Sequence, residues 1–173
     1  MQIKNVRPLN FLYFRTRTKL NELGRFVGII ARELHRDAAL YDQEVTGPVY
    51  WNYTDVTGNP DHDFGLEIAL PVAEIPVAYG GKFDIKRSNA FPCLSLLHEG
   101  SWLDMPSVYK QLYEFAREQE LEITGQNREI YVNVDFTDPE ANLTEIQLGI
   151  THESYVRVSR IPVLDRAVSE QIL

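Results

Sequence analysis

Glu44-Val45-Thr46-Gly47 recurs as Glu122-Ile123-Thr124-Gly125, and the offset of 78 residues holds well beyond those four positions. At that spacing Tyr53 falls on Tyr131, Val56 on Val134, and Glu67-Ile68 on Glu145-Ile146. Run backwards, the register pairs Leu34 with Leu112 and Ala38 with Ala116; run forwards, it pairs Leu70 with Leu148. Residues 30–70 set on 108–148 give 10 identities in 41 positions, where background amino-acid usage gives about two or three. Self-similarity at a fixed spacing means one supersecondary unit used twice. Two copies are too few for a solenoid, so a single pseudo-symmetric domain over residues 1–173 is expected, with its useful cleft between the copies.

Each copy reads as strand, helix, strand, strand. In the first, Phe11 to Thr18 alternates as a strand does, and from Leu20 the apolar spacing turns helical through Leu23, Val27, Ile30, Leu34 and Ala38. Val49 to Val56 is rich in β-branched and aromatic residues, and the turn chemistry of Thr57 to Asp61 leads into a return strand, Phe64 to Leu70. The second copy repeats the order. Pro92 to His98 is a strand, Pro106 opens a helix with the stripe Val108, Leu112, Phe115 and Ala116, and Arg128 to Val134 and Thr144 to Ile150 are the paired strands. The expected fold is α+β: two strand–helix–strand–strand modules with pseudo-two-fold symmetry, an antiparallel sheet and two main helices on one face. Repeat 1 covers about 2–72 and repeat 2 about 90–150, with a linker over 73–89. The extension 151–173 is expected to add a strand at Tyr155 to Val158 and a short helix after Pro162.

The bulk numbers narrow the function. With 173 residues, 44% of them apolar, the chain can bury a real core. A net charge of −8 and no block of Lys or Arg argue against a nucleic-acid groove, which needs clustered cations. One cysteine, Cys93, excludes an intramolecular disulfide and fits a reducing compartment. Met1 to Asn10 lacks the apolar core of a signal peptide, and no apolar run is long enough to span a membrane, so a cytoplasmic protein is expected.

Strand alternation then sorts candidate site residues by face. Glu129 and Tyr131 share a face, and Ile130, Val132 and Val134 share the other; Trp51 and Tyr53 are the first-copy equivalents of the former pair. The expectation is that Leu66, Ile68, Leu70, Ile146, Leu148 and Ile150 join the aliphatic face beneath the helices. Trp51, Tyr53 and Tyr131 would then occupy the opposite face with Glu67, Glu129 and Glu145. Carboxylates among aromatic rings suit an apolar cation, the rings giving area and cation–π attraction and the carboxylate a charge partner; a merely solvated face is the alternative. His98-Glu99 are strand neighbours that point apart, Asp61-His62-Asp63 reads as a solvated hairpin tip, and Cys93 as a small core residue. The sequence carries no P-loop, dinucleotide fingerprint, zinc spacing or nucleophile elbow.

Several segments together resemble the GyrI-like small-molecule-binding family, the effector-binding domain of AraC- and MerR-type regulators. The matching pieces are Gly47-Pro48-Val49-Tyr50, Phe64 to Val72, His98-Glu99-Gly100-Ser101-Trp102, Arg128-Glu129-Ile130-Tyr131 and Glu145-Ile146. The resemblance implies paired modules about a pseudo-two-fold axis. It also implies a pocket for lipophilic, often cationic compounds around a buried glutamate, a role that falls to Glu129, with Tyr131 and Trp102 as aromatic walls. Where the family's His-x-Gly-x-Tyr element ends in tyrosine this chain has Trp102, and it carries no helix-turn-helix segment. The leading expectation is a stand-alone binder of lipophilic cations in which Glu129 is the charge partner, Glu67 and Glu145 are secondary, and Trp51, Tyr53, Trp102 and Tyr131 line the cavity. No metal or cofactor is implied. Two alternatives accompany it. One is hydrolysis of strained cyclopropane-containing genotoxins with Glu129 as general base and Tyr131 as proton donor. The other is inhibition of a protein partner in the manner of gyrase inhibitors.

Overall fold

The computed structural model describes residues 1–160. Eight strands form one antiparallel sheet: β1 (Gln2–Val6), β2 (Asn10–Thr18), β3 (Val49–Thr54), β4 (Phe64–Val72), β5 (Asp84–Arg87), β6 (Phe91–Glu99), β7 (Ile123–Asn133) and β8 (Leu143–Ile150). Their order across the sheet is β1-β6-β8-β7-β3-β4-β2-β5. Read outward from its middle, β3-β4-β2 on one side and β7-β8-β6 on the other are corresponding strands of the two copies. The two copies meet at the β3–β7 seam, where Trp51 lies opposite Glu129. Those two residues also correspond in the 78-residue register.

Helices α1 (Ile29–Leu40) and α2 (Met105–Glu118) pack over the outer strands of their own copies, α1 on β2 and β4, α2 on β6. Beneath α1, Leu34 and Ala38 meet Leu12, Leu66, Ile68 and Leu70; beneath α2, Val108, Leu112 and Ala116 meet Leu94, Ile146, Leu148 and Ile150. Leu34 and Leu112 are both fully buried. Cross-strand partners in an antiparallel ladder point to the same face. Ile68 pairs with Trp51, Trp51 with Glu129, and Glu129 with Ile146, so one face of the sheet carries both helices, the aliphatic residues, Trp51 and Glu129.

That register overturns one expectation. The aromatic and carboxylate residues of β3 and β7 are not on the face opposite the helices; they are on the helix face, in the gap the helices leave over the two central strands. Alternation within each strand is as expected, with Ile130 pointing away from Glu129. The aliphatic return strands, however, share the face of Glu129, and Glu67 and Glu145 lie on the other one.

Other differences have local causes. The helical spacing from Leu20 begins as a 3-10 turn, Leu20–Arg25, and α1 starts only at Ile29. Gly24 and Gly28 interrupt the stretch, each about 1 kcal/mol worse than alanine in a helix interior, and Gly28 takes a left-handed φ of 70°. Val134 follows a register shift at the end of β7 and is exposed, not core. The segment expected to be a strand at Tyr155 to Val158 lies in α3 (His152–Ser159), whose N-terminal Thr151 hydroxyl accepts a hydrogen bond from the Ser154 N–H at 3.3 Å. The edge strands β1 and β5 are short and carry too few apolar residues to announce themselves by alternation. The helix expected after Pro162 lies outside the described residues.

Candidate functional site

Between the helices, over β3 and β7, lies a cavity of about 660 Å³. Its floor is Val49, Trp51 and Tyr53 from β3 and Asn127, Glu129 and Tyr131 from β7. Val27, Gly28 and Ala31 form the wall at α1, and Met105, Pro106, Tyr109 and Tyr113 the wall at α2. Trp102, Val134 and Phe136 also line it, as do Val56, Thr57 and Gly58. The volume falls in the range of small-molecule sites, and the lining is overwhelmingly apolar with a few convergent polar groups.

Glu129 is the centre of those polar groups. Its side chain is 7% exposed and accepts three hydrogen bonds from phenol hydroxyls: Tyr53 at 2.7 Å and Tyr131 at 2.7 Å, both to Oε2, and Tyr109 at 2.9 Å to Oε1. Among the described residues it has no lysine, arginine or histidine partner. Burial raises the carboxyl group above its ordinary range, and the hydroxyls of Tyr53, Tyr131 and Tyr109 offset that rise only in part. The three phenols are pushed well above their usual range, mainly by burial and then by the neighbouring carboxylate, so they remain protonated donors. A carboxylate offers about four lone-pair positions, and three are taken. What the site presents, when Glu129 is ionised, is a negative charge held by neutral donors within an apolar cavity, with no cationic partner among the described residues.

Aromatic rings continue from the floor to the rim. Trp51 meets Tyr131 edge-on at 5.9 Å, Tyr131 meets Trp102 at 5.3 Å and 89°, and Trp102 meets Phe136 at 5.9 Å and 79°. Such edge-to-face contacts suit the ring quadrupole and fix ring positions. Trp102 is further anchored by its indole N–H, which donates to Thr144 Oγ1 at 3.1 Å, and the 3-10 turn that carries it is capped by the Ser101 hydroxyl. Phe136 is largely exposed, so the aromatic series reaches from the buried charge to solvent.

The structure therefore brings Trp51, Tyr53, Trp102, Glu129 and Tyr131 together on one cavity. It does not bring Glu67 or Glu145 there. Glu67 pairs with Arg15 at 3.1 Å and Lys86 at 2.5 Å and accepts from Asn52. Glu145 pairs with Lys4 and accepts from Ser95 and Gln147; burial works to raise its pKa, but those contacts outweigh it and hold the group below its ordinary range. Both are neutralised carboxylates on the opposite face, where a cation has nothing to gain. Tyr109 and Asn127, with Tyr113 and Thr57, are polar lining residues that strand alternation and the repeat do not single out. The signal for Tyr109 was its place one residue beyond Val108 on the edge of the helix stripe, with Tyr113 a turn further on. Asn127 is 2% exposed, and its Oδ1 has no hydrogen-bond partner among the described residues.

The family model described as "GyrI-like small molecule binding domain" matches residues 1–151. No curated protein sequence matches the chain. Among solved structures, the crystal structure of the EcmrR C-terminal domain is similar with a TM-score of 0.70 at 16% identity, covering 87% of this chain and 96% of that one. The structure of SAV2435 bound to tetraphenylphosphonium gives 0.61 at 10% identity, covering 89% and 95%. A hydrolase encoded by lin2189 from Listeria innocua gives 0.62 at 12% identity, covering 87% and 91%. At such identities the likeness is one of fold. Among the described residues no helix is long and apolar enough to cross a membrane.

Proposed function

We propose, from the premise that this chain belongs to the GyrI-like small-molecule-binding family, that its cavity binds a lipophilic cation with Glu129 as the charge partner. One observation carries this reading: Glu129 is buried in an aromatic cavity, held by three tyrosine hydroxyls, and has no cationic partner among the described residues. A buried carboxylate without a counter-charge is costly. A ligand cation that brings its own apolar surface offsets that cost, covers the rings and gains cation–π attraction from Trp51 and Tyr131. Trp51, Tyr53, Trp102 and Tyr131 act as walls, and Tyr53, Tyr109 and Tyr131 position the carboxylate. That SAV2435, a protein of similar fold, has been solved with tetraphenylphosphonium supports this ligand class as the first to try. Titration calorimetry with tetraphenylphosphonium tests the reading; micromolar binding supports it, and no heat of binding up to millimolar ligand counts against it.

A second reading, hydrolysis of a strained electrophile, draws on the same geometry and on the fold it shares with a Listeria hydrolase. A carboxylate whose pKa burial has raised is a better general base at neutral pH. Glu129 would take a proton from water as that water attacks the ring carbon and the ring C–C bond breaks, the Tyr131 hydroxyl would pass its proton to the leaving carbon, and the proton on Glu129 would return to the Tyr131 oxygen 2.7 Å away. Product analysis after incubation with a cyclopropane-containing electrophile distinguishes the two: a ring-opened hydrated product made by wild type and lost in Glu129→Gln supports turnover.

A further inference from the structure

The cavity is lined by α1 and β3 on one side and by α2 and β7 on the other, and residues paired in the 78-residue register differ across it. In the 78-residue register Ala31 corresponds to Tyr109, Val49 to Asn127 and Trp51 to Glu129. All six line the cavity. In each pair the hydrogen-bonding or charged member comes from the second copy except for the indole, which contributes a π-face. Tyr109 donates to Glu129, and Asn127 holds a buried amide oxygen with no partner among the described residues. On the first-copy side Ala31 offers a methyl group where the second copy offers a phenol ring, and it is only partly buried. Val27 and Trp51 flank that side with further apolar surface.

A symmetric cavity would hold a ligand equally well in two poses related by exchange of the copies. Here the two poses differ in kind. One sets a cationic end against a carboxylate and an unpartnered amide oxygen and puts the apolar body against methyl and aliphatic groups. The other reverses both, leaving a charge against an apolar wall and a carboxylate uncompensated, which is the costly arrangement. We infer that the cavity holds its ligand in one orientation, the charged end toward Glu129 and Asn127 and the apolar body toward Ala31, and that Ala31 sets the largest body accepted. This rests on the reading that the cavity binds lipophilic cations. Ala31 is thus a specificity-determining residue: a larger side chain there fills the apolar side while leaving Glu129 and its three phenols in place.

The experiment compares two cations with the same trimethylammonium end in calorimetric titrations: 4-biphenylyltrimethylammonium, with a long apolar body, and phenyltrimethylammonium, with a compact one. Wild type, Ala31→Leu and Ala31→Phe are measured, each checked for a cooperative thermal transition. The readout is the ratio of the two Kd values, large cation over compact. Overpacking a defined space predicts that Ala31→Phe raises this ratio at least tenfold and Ala31→Leu at least threefold; if Ala31→Phe does not fold, the leucine variant decides. Wild type that binds both cations, with a ratio unchanged within twofold in the variants, overturns the assignment of Ala31 while leaving the cation-binding reading intact. Wild type that binds neither cation removes the underlying reading, and this inference with it.

Discussion

Tyr131→Phe removes one of the three hydroxyls on Glu129 while keeping the ring that packs against Trp51 and Trp102. Those hydroxyls favour the ionised carboxylate and work against burial, which favours the protonated form. A hydrogen bond to a charged group is worth about 1.5–3 kcal/mol, so losing one shifts the ionisation equilibrium of Glu129 toward the acid by roughly tenfold to a hundredfold. A cation competes with that proton. Its affinity should therefore fall as pH drops through the raised pKa of Glu129, and in Tyr131→Phe the fall should begin at higher pH. At a pH well above both transitions the variant should bind within a few-fold of wild type, because ring area and π-face remain. Titration calorimetry of tetraphenylphosphonium between pH 5 and 9, in buffers of different ionisation enthalpy to count protons, reads both quantities. Profiles of wild type and Tyr131→Phe that superimpose, or a uniform loss at every pH with no change in proton release, would refute the view that the hydroxyl holds Glu129 ionised.

The remaining predictions concern stability. Leu34→Ala and Leu112→Ala should each cost about 2–5 kcal/mol in denaturant unfolding, as both are fully buried at corresponding places under their helices; a loss below about 0.5 kcal/mol at either would contradict that placement. Because the folded pKa of Glu129 is raised above 4.5, its contribution is fully present below that pH and is lost as pH rises through the raised value. The stability of wild type relative to Glu129→Gln should accordingly decline on going from pH 4 to pH 8, and an increase would show the opposite shift. Asn127→Leu replaces a buried amide that lacks a partner by an apolar side chain of similar size, and should stabilise the unliganded protein by about 1 kcal/mol. Destabilisation by a similar amount in the same unfolding titration would show that the amide is satisfied.

Much of the fold was legible because the repeat put helix on helix and strand on strand. Leu34 and Leu112, paired in the sequence register, are each fully buried on their own helix, and Tyr53 and Tyr131, paired likewise, both donate to Glu129 Oε2. Alternation likewise put Glu129 with Tyr131 and apart from Ile130. What alternation cannot do is join faces across strands, because a one-residue change of register flips a whole strand. Polarity groups Glu67 and Glu145 with Glu129, whereas the ladder partners of Trp51 and Glu129 are Ile68 and Ile146. The rule that aliphatic residues go under helices holds for β4 and β8 but fails at the seam of β3 and β7, where no helix lies overhead and the same face is aromatic and charged. Tyr109 is illegible in the sequence for a related reason: a polar ring on the margin of a helix stripe reads as a boundary residue until the cavity beside it is known.

The most direct test of Glu129 as charge partner pairs a cation with its neutral carbon isostere, phenyltrimethylammonium with tert-butylbenzene, on wild type and Glu129→Gln above the pH at which Glu129 ionises. The substitution preserves shape and an acceptor for the tyrosine hydroxyls while removing the charge. A charge-assisted contact out of water predicts that the cation loses about 1.5–3 kcal/mol, or roughly ten- to a hundredfold in Kd, while the hydrocarbon changes by less than about threefold. Equal losses for the two ligands, or an unchanged Kd for the cation, would contradict the claim that a buried, tyrosine-held carboxylate is what this cavity offers its ligand.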